Sequence, residues 1–260
     1  MILVTGTKRS GTSMWMQILV AAGFPYIGEA FPGPWQETIG AANPRGFYES
    51  PLRKGIFWAT NPDPDTGLFL FPKATRRHLV KVFIPGLVCT DYAFLDRVVA
   101  TMRPWRDYCA SLERLYALED ASIADRERAP ARRSPLPPAV EWWFENYELI
   151  RDFATRRYPI NLVSYDRLLE DPERVIRGVV GWLGGGEIEA AVAAVEPSLR
   201  STSGAPAPAV DLSESTIALF DALHDAVYRE QGLPASLLAR LNEEQERMRE
   251  RWLPDEEPGG

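Results

Sequence analysis

Residues 2–4, 79–84, 97–102 and 159–165 form short apolar runs, each bounded by polar or turn-forming residues. Runs of this length predict strands covered on both faces, because alternate side chains of a strand point to opposite sides. Elsewhere the apolar positions recur every three or four residues, the spacing of a helix face. This spacing predicts a helix from Thr12 that Gly23 and Pro25 close, a second over 106–118, and a long third from Glu141. Another starts at Asp171-Pro172-Glu173, with proline in the first turn, and ends at Gly184-Gly185-Gly186. Two more cover 213–230 and 235–252, the latter ending in opposite charges three or four apart that suit an exposed helix face.

Strands alternating with helices predict an α/β fold. Its parallel sheet is wrapped on both faces and has its ligand chemistry at the carboxyl ends of the strands. Residues 26–77 break the pattern with dense Pro, Gly and aromatic residues, a loop-rich composition. Phe31, Trp35, Phe47, Tyr48, Phe57, Trp58, Phe69 and Phe71 lie there; most are expected in the core and a minority against a ligand. A Pro- and Arg-rich loop from Asp120 to Pro138 reads as a solvated connection, with a lid over the site as the other reading.

A chain of 260 residues with 45% hydrophobic content can bury one large core, so a single domain is expected, with a core over about 1–200 and a helical extension over about 211–252. The net charge of −7 argues against a general nucleic-acid binder, which needs a basic face. Cys89 and Cys109 are too few for a disulfide framework, and the sequence opens on a strand instead of a charged, then apolar leader. No apolar run approaches the ~18 residues of a membrane span. A cytoplasmic protein without a membrane anchor is the expectation.

Candidate chemistry starts at Gly6-Thr7-Lys8-Arg9-Ser10-Gly11-Thr12-Ser13, between the first strand and the first helix. Two glycines let the backbone curl, so that N–H groups and the helix N-terminus point at one anion, with Lys8 and Arg9 adding charge. Such a loop suits a phosphate or a sulfate. It nearly follows the nucleotide pattern Gly-x-x-x-x-Gly-Lys-Ser/Thr, but Thr12 stands at the lysine position. The third strand delivers Arg103-Pro104-Trp105-Arg106-Asp107-Tyr108-Cys109-Ala110-Ser111, and an arginine fork with a hydroxyl two helical turns later can close on one phosphate.

In order along the chain, these segments resemble the sulfotransferases that use 3′-phosphoadenosine 5′-phosphosulfate. Arg9-Ser10-Gly11-Thr12-Ser13 is similar to their 5′-phosphosulfate loop, and Asn43-Pro44-Arg45-Gly46-Phe47-Tyr48-Glu49 to a turn found in many bacterial members. Arg103 to Ser111 matches the spacing of their 3′-phosphate motif. Tyr165 to Pro172 resembles the segment whose tyrosine approaches the adenine side. The resemblance covers about residues 2–200 and implies a three-layer P-loop-type fold. It further implies a small-molecule hydroxylated acceptor and no required metal, while charge and the lack of a long apolar run argue against nucleic acid and membrane as partners.

By the same resemblance, Arg9 stabilises the leaving 5′-phosphate, with Lys8 as a second catalytic candidate. Ser10, Gly11, Thr12 and Ser13 hold the phosphosulfate, Arg103 and Ser111 the 3′-phosphate, and Tyr165 the adenine side. Animal cytosolic members use the histidine of a Lys-Thr-His-x-Pro segment as base; Lys81-Val82-Phe83-Ile84-Pro85 aligns with it and puts Phe83 there. Phenylalanine takes no proton, so Glu49 becomes the first candidate base, with His78 and Asp91 in reserve, while His224, in mid-helix, is given no role. Two other readings stand. One is a P-loop small-molecule kinase with Thr12 or Ser13 on Mg²⁺ and Asp91 as an acid; the other is a nucleotide-binding module without transfer activity.

Overall fold

The computed structural model describes residues 1–33, 35–40, 43–122, 133–196 and 210–253. Four strands, β1 (Ile2–Thr5), β2 (Leu79–Lys81), β3 (Arg97–Met102) and β4 (Ile160–Ser164), form one sheet in the order β2-β1-β3-β4. All pairs are parallel, with Ile2 opposite Leu79 and Arg97, and Val98 opposite Ile160. Ten helices of the described residues surround it: α1 (Thr12–Ala21), α2 (Trp35–Thr38), α3 (Ile84–Cys89), α4 (Trp105–Ser122), α5 (Pro138–Arg156), α6 (Tyr165–Glu170), α7 (Pro172–Trp182), α8 (Ile188–Ala193), α9 (Glu214–Tyr228) and α10 (Ala235–Trp252).

The unbroken apolar runs divide between the two faces as a parallel sheet requires. Ile2, Val4, Leu79, Val99 and Val163 pack with Trp15, Ile18 and Leu19 of α1 and Ile176 and Val180 of α7. Leu3, Val80, Val98 and Ala100 pack on the opposite face with Ile84 and Leu87 of α3 and Leu149 of α5. The C-terminal helices join a third cluster, in which Phe220 of α9 stacks on Trp143 at 4.9 Å and meets Trp142 at 5.3 Å. That wall braces α4 and α5.

Several expectations need correction. The strand in the run at 79–84 ends at Lys81 and a helix begins at Ile84, where Pro85 suits a first helical turn and lacks the N–H a strand would need. Trp58, Phe69 and Phe71 are 87%, 59% and 63% exposed and so belong to no core, whereas Phe47 is buried and meets Phe31 and Trp35 edge-on. Most of the Asp120–Pro138 loop, and with it the lid reading, lies outside the described residues. No helix among the described residues is long and apolar enough to cross a membrane.

Candidate functional site

The chain steps from β1 to β2 on one side and then crosses to β3 on the other, which makes the carboxyl ends of β1 and β3 the switch point of the sheet. Crevices form there in open parallel sheets. The Gly6–Ser13 loop fills this position. A Cβ on Gly6 would stand 2.4 Å from the Thr101 carbonyl and 2.5 Å from Ser10 Oγ, so only glycine lets the loop lie against β3. Ser10 closes the turn by donating from its N–H and its hydroxyl to the Thr7 carbonyl, at 3.2 and 2.7 Å. Thr101 Oγ1 ties the loop to β3 by donating to the Ser10 carbonyl at 3.0 Å. Arg9 and Gly11 are left-handed, with φ of 64° and 102°, and alternation of this kind turns successive N–H groups toward one concavity. The N-terminus of the ten-residue helix α1 follows, with no acidic residue in its first turn.

Cationic side chains gather beside the loop. Arg103, the first residue past β3, is 3% exposed and donates from Nη1 to the Arg9 carbonyl at 3.1 Å. Its guanidinium lies 4.8 Å from the centre of the Tyr165 ring, the residue that follows β4, and its own carbonyl accepts from Trp142 Nε1 at 2.9 Å. Tyr165 also presses on the loop, since a Cβ on Gly11 would meet its Cδ2 at 2.5 Å. Ser111 Oγ, buried two turns along α4, accepts from Arg9 Nε at 3.1 Å. Burial, then Arg103 and Arg114, push the Arg9 guanidinium down to about 10. It stays charged at neutral pH. The second arginine of the segment, Arg106, turns away to Asp221 of α9 at 2.6 Å.

No protein-family model matches the chain, and no curated protein matches it either. What the site can do therefore rests on its own geometry.

On the β2 side of the loop stands a group that the motif reading passed over. Lys81, the last residue of β2, is 5% exposed and donates to Glu49 Oε1 at 2.6 Å, the Phe47 carbonyl at 2.7 Å and Ser13 Oγ at 3.1 Å. Burial lowers its pKa from the ordinary lysine value, and Glu49 opposes that shift. A charged residue inside an apolar strand was the signal for it, since buried lysine needs a partner. Glu49 reaches this point because α1 anchors the turn before it: Gln17 Nε2 donates to the Gly46 carbonyl at 3.2 Å and to Asn43 Oδ1 at 3.3 Å. The second carboxylate oxygen of Glu49, Oε2, is buried and has no hydrogen-bond partner among the described residues.

The loop thus brings Arg9, Ser10, Gly11, Thr12, Ser13, Arg103, Ser111, Tyr165 and Glu49 together, while other candidates fall elsewhere. The charge of Lys8 acts on Glu141 and Glu145 of α5. His78 precedes β2 and passes its carbonyl to Ile2 N at the amino end of the sheet, the end opposite the loop. Asp91 is exposed and caps the turn at Tyr92–Phe94 by accepting from Ala93 N at 2.9 Å. Neither can act as the base for chemistry at the loop. His224, by contrast, comes to the carboxyl end of β4, with Nε2 3.4 Å from Ser164 Oγ; burial lowers its pKa against Asp166, Asp225, Asp221 and Asp107. Among the described residues no His, Cys, Asp and Glu cluster is able to hold a metal ion.

Proposed function

We propose that this chain is a sulfotransferase of P-loop-type fold that moves a sulfuryl group from 3′-phosphoadenosine 5′-phosphosulfate to a hydroxyl of a small molecule. One observation carries the reading. Arg9, Arg103 and Ser111 converge beside a glycine loop at the β1/β3 switch point, so that a helix N-terminus lies next to two guanidinium groups and a hydroxyl. Two neighbouring anion sites suit a nucleotide bearing phosphate at both its 3′ and 5′ positions. ATP carries its phosphates in a single chain, and the lysine that would cradle them is Thr12 here.

In this reading the loop N–H groups and Arg9 take up the charge that grows on the 5′-phosphate oxygen as the bond from it to sulfur breaks. The acceptor oxygen forms the new bond to sulfur and gives its proton to Glu49 Oε2, the carboxylate oxygen that Lys81 leaves unbonded. Lys81 holds that carboxylate in place beside Ser13. The products are the sulfate ester and 3′-phosphoadenosine 5′-phosphate.

The test is thermal. 3′-Phosphoadenosine 5′-phosphate without Mg²⁺ should raise the melting temperature, since a ligand of the native state alone stabilises it, and ATP with Mg²⁺ at equal concentration should not. A shift with ATP and Mg²⁺ and none with the bisphosphate would refute the proposal in favour of a kinase.

A further inference from the structure

Beside β4, away from the phosphate loop, lies a cavity of about 540 Å³. Leu149, Ile150 and Phe153 of α5 form one wall, Val175, Gly178 and Val179 of α7 the facing wall, and Val227, Leu233 and Leu238 the outer side. Its floor is the open edge of the sheet. Val98 N donates to the Pro159 carbonyl at 2.9 Å, and peptide groups of a parallel strand alternate in direction. Pro159, Asn161 and Val163 therefore turn their peptide groups to β3, and Ile160 and Leu162 turn theirs outward. Those outward groups make no hydrogen bond among the described residues.

We propose that this cavity binds a small uncharged molecule, mainly apolar, with one hydrogen-bonding group that meets the Ile160–Leu162 edge. The volume lies within the range of ligand pockets, and such pockets combine apolar walls with a few polar groups that fix orientation. A charged ligand is disfavoured. The only charged residues of the lining are Arg174 and Glu230, which neutralise each other through two hydrogen bonds of 2.9 and 3.0 Å, and Asp171 adds a third bond to Arg174. An ionised head group would lose its water without gaining a partner. The site is separate from the transfer site: its wall at Val163 stops short of Tyr165, and the wall runs from there toward the amino end of the sheet.

Gly178 provides the means to test this. It lies inside α7 at the cavity lining, and a Cβ built on it meets nothing within 4 Å, so there is room to start a larger side chain there. Gly181, in the same helix, also has open space around it but does not line the cavity. Both Gly178→Leu and Gly181→Leu should raise the melting temperature, because glycine is a poor residue for a helix interior. The probe is Nile red, an uncharged dye whose emission rises in apolar surroundings, titrated into the full chain, with 1-octanol and octanoate as competitors.

Gly178→Leu should weaken dye binding by at least about tenfold while Gly181→Leu stays within about twofold of the parent, as expected when only one fills the pocket. 1-Octanol should displace the dye at lower concentration than octanoate. Three results would overturn the proposal: a Gly178→Leu protein that binds dye as the parent does, equal loss in both variants, or octanoate competing as well as 1-octanol. Loss of the signal in Trp58→Ser/Phe69→Ser would also overturn it, by assigning the dye to the exposed aromatic loop.

Discussion

The two sides of the Gly6–Ser13 loop surround buried charge in different ways. On the β3 side, Arg9 lies among Arg103 and Arg114, whose charges both act to lower its pKa. On the β2 side, Lys81 has a carboxylate at 2.6 Å, and the pair is nearly closed off from solvent. The first arrangement sets guanidinium groups beside the loop and the N-terminus of α1, so it suits holding an anion. The second is already neutral as a pair, so it suits holding one reactive carboxylate in a fixed direction. Under the proposed function the first side serves binding and the second chemistry, and each makes its own predictions.

The largest expected effect is on turnover. Glu49→Gln keeps size but removes proton acceptance, and loss of a general base costs about 10²–10⁴-fold in rate. Binding of 3′-phosphoadenosine 5′-phosphate, measured by calorimetry, should change by less than about twofold, because the donor side is untouched. Near-parental turnover would acquit Glu49, and loss of donor binding would blur the distinction between the two sides.

Next comes stability. Lys81→Met leaves the Glu49 carboxylate buried without its partner and should cost about 3–5 kcal/mol in urea unfolding, whereas Lys81→Met with Glu49→Leu should recover most of that. Equal losses in the single and double variants would mean that the pair is not a unit.

A third test concerns Glu145 of α5, a carboxylate buried beside a second one. Burial and then Glu141 push it up to about 8 from 4.5, so the folded state keeps a proton that the unfolded chain has released. Stability is therefore lost as pH rises between those values. Glu145→Gln should gain on the parent from pH 5 to pH 8, by roughly 1 kcal/mol or more at the upper end. A difference that does not vary with pH would remove the buried carboxyl from the account.

The longer elements were legible in the sequence because their pattern had room to repeat. The strand at 97–102 and the helix at 235–252 lie where the run and the spacing put them. The six-residue helices α3, α6 and α8 span less than two turns, too short for a repeat, and α3 starts at the last residue of what read as a strand. At the site, Arg103 and Ser111 were readable from their spacing and Tyr165 from the resemblance, and all three lie beside the loop or its arginines. Lys81 was not readable, because its approach to Ser13 depends on β2 lying beside β1, a pairing between residues about 75 apart in sequence. His78 failed as a candidate for a reason that strand direction already contains: a residue before a parallel strand lies at the opposite end from the loops that follow strands.

The central claim is that the recess beside the loop holds two phosphates, with Arg103 on the second. Calorimetry of 3′-phosphoadenosine 5′-phosphate against adenosine 5′-phosphate, on the parent and on Arg103→Ala, tests it most directly. A charge-assisted hydrogen bond contributes about 1.5–3 kcal/mol, so the parent should prefer the bisphosphate by at least about tenfold and the variant should lose most of that preference. Equal affinity of the parent for the two nucleotides, or a preference that survives in Arg103→Ala, would contradict the account.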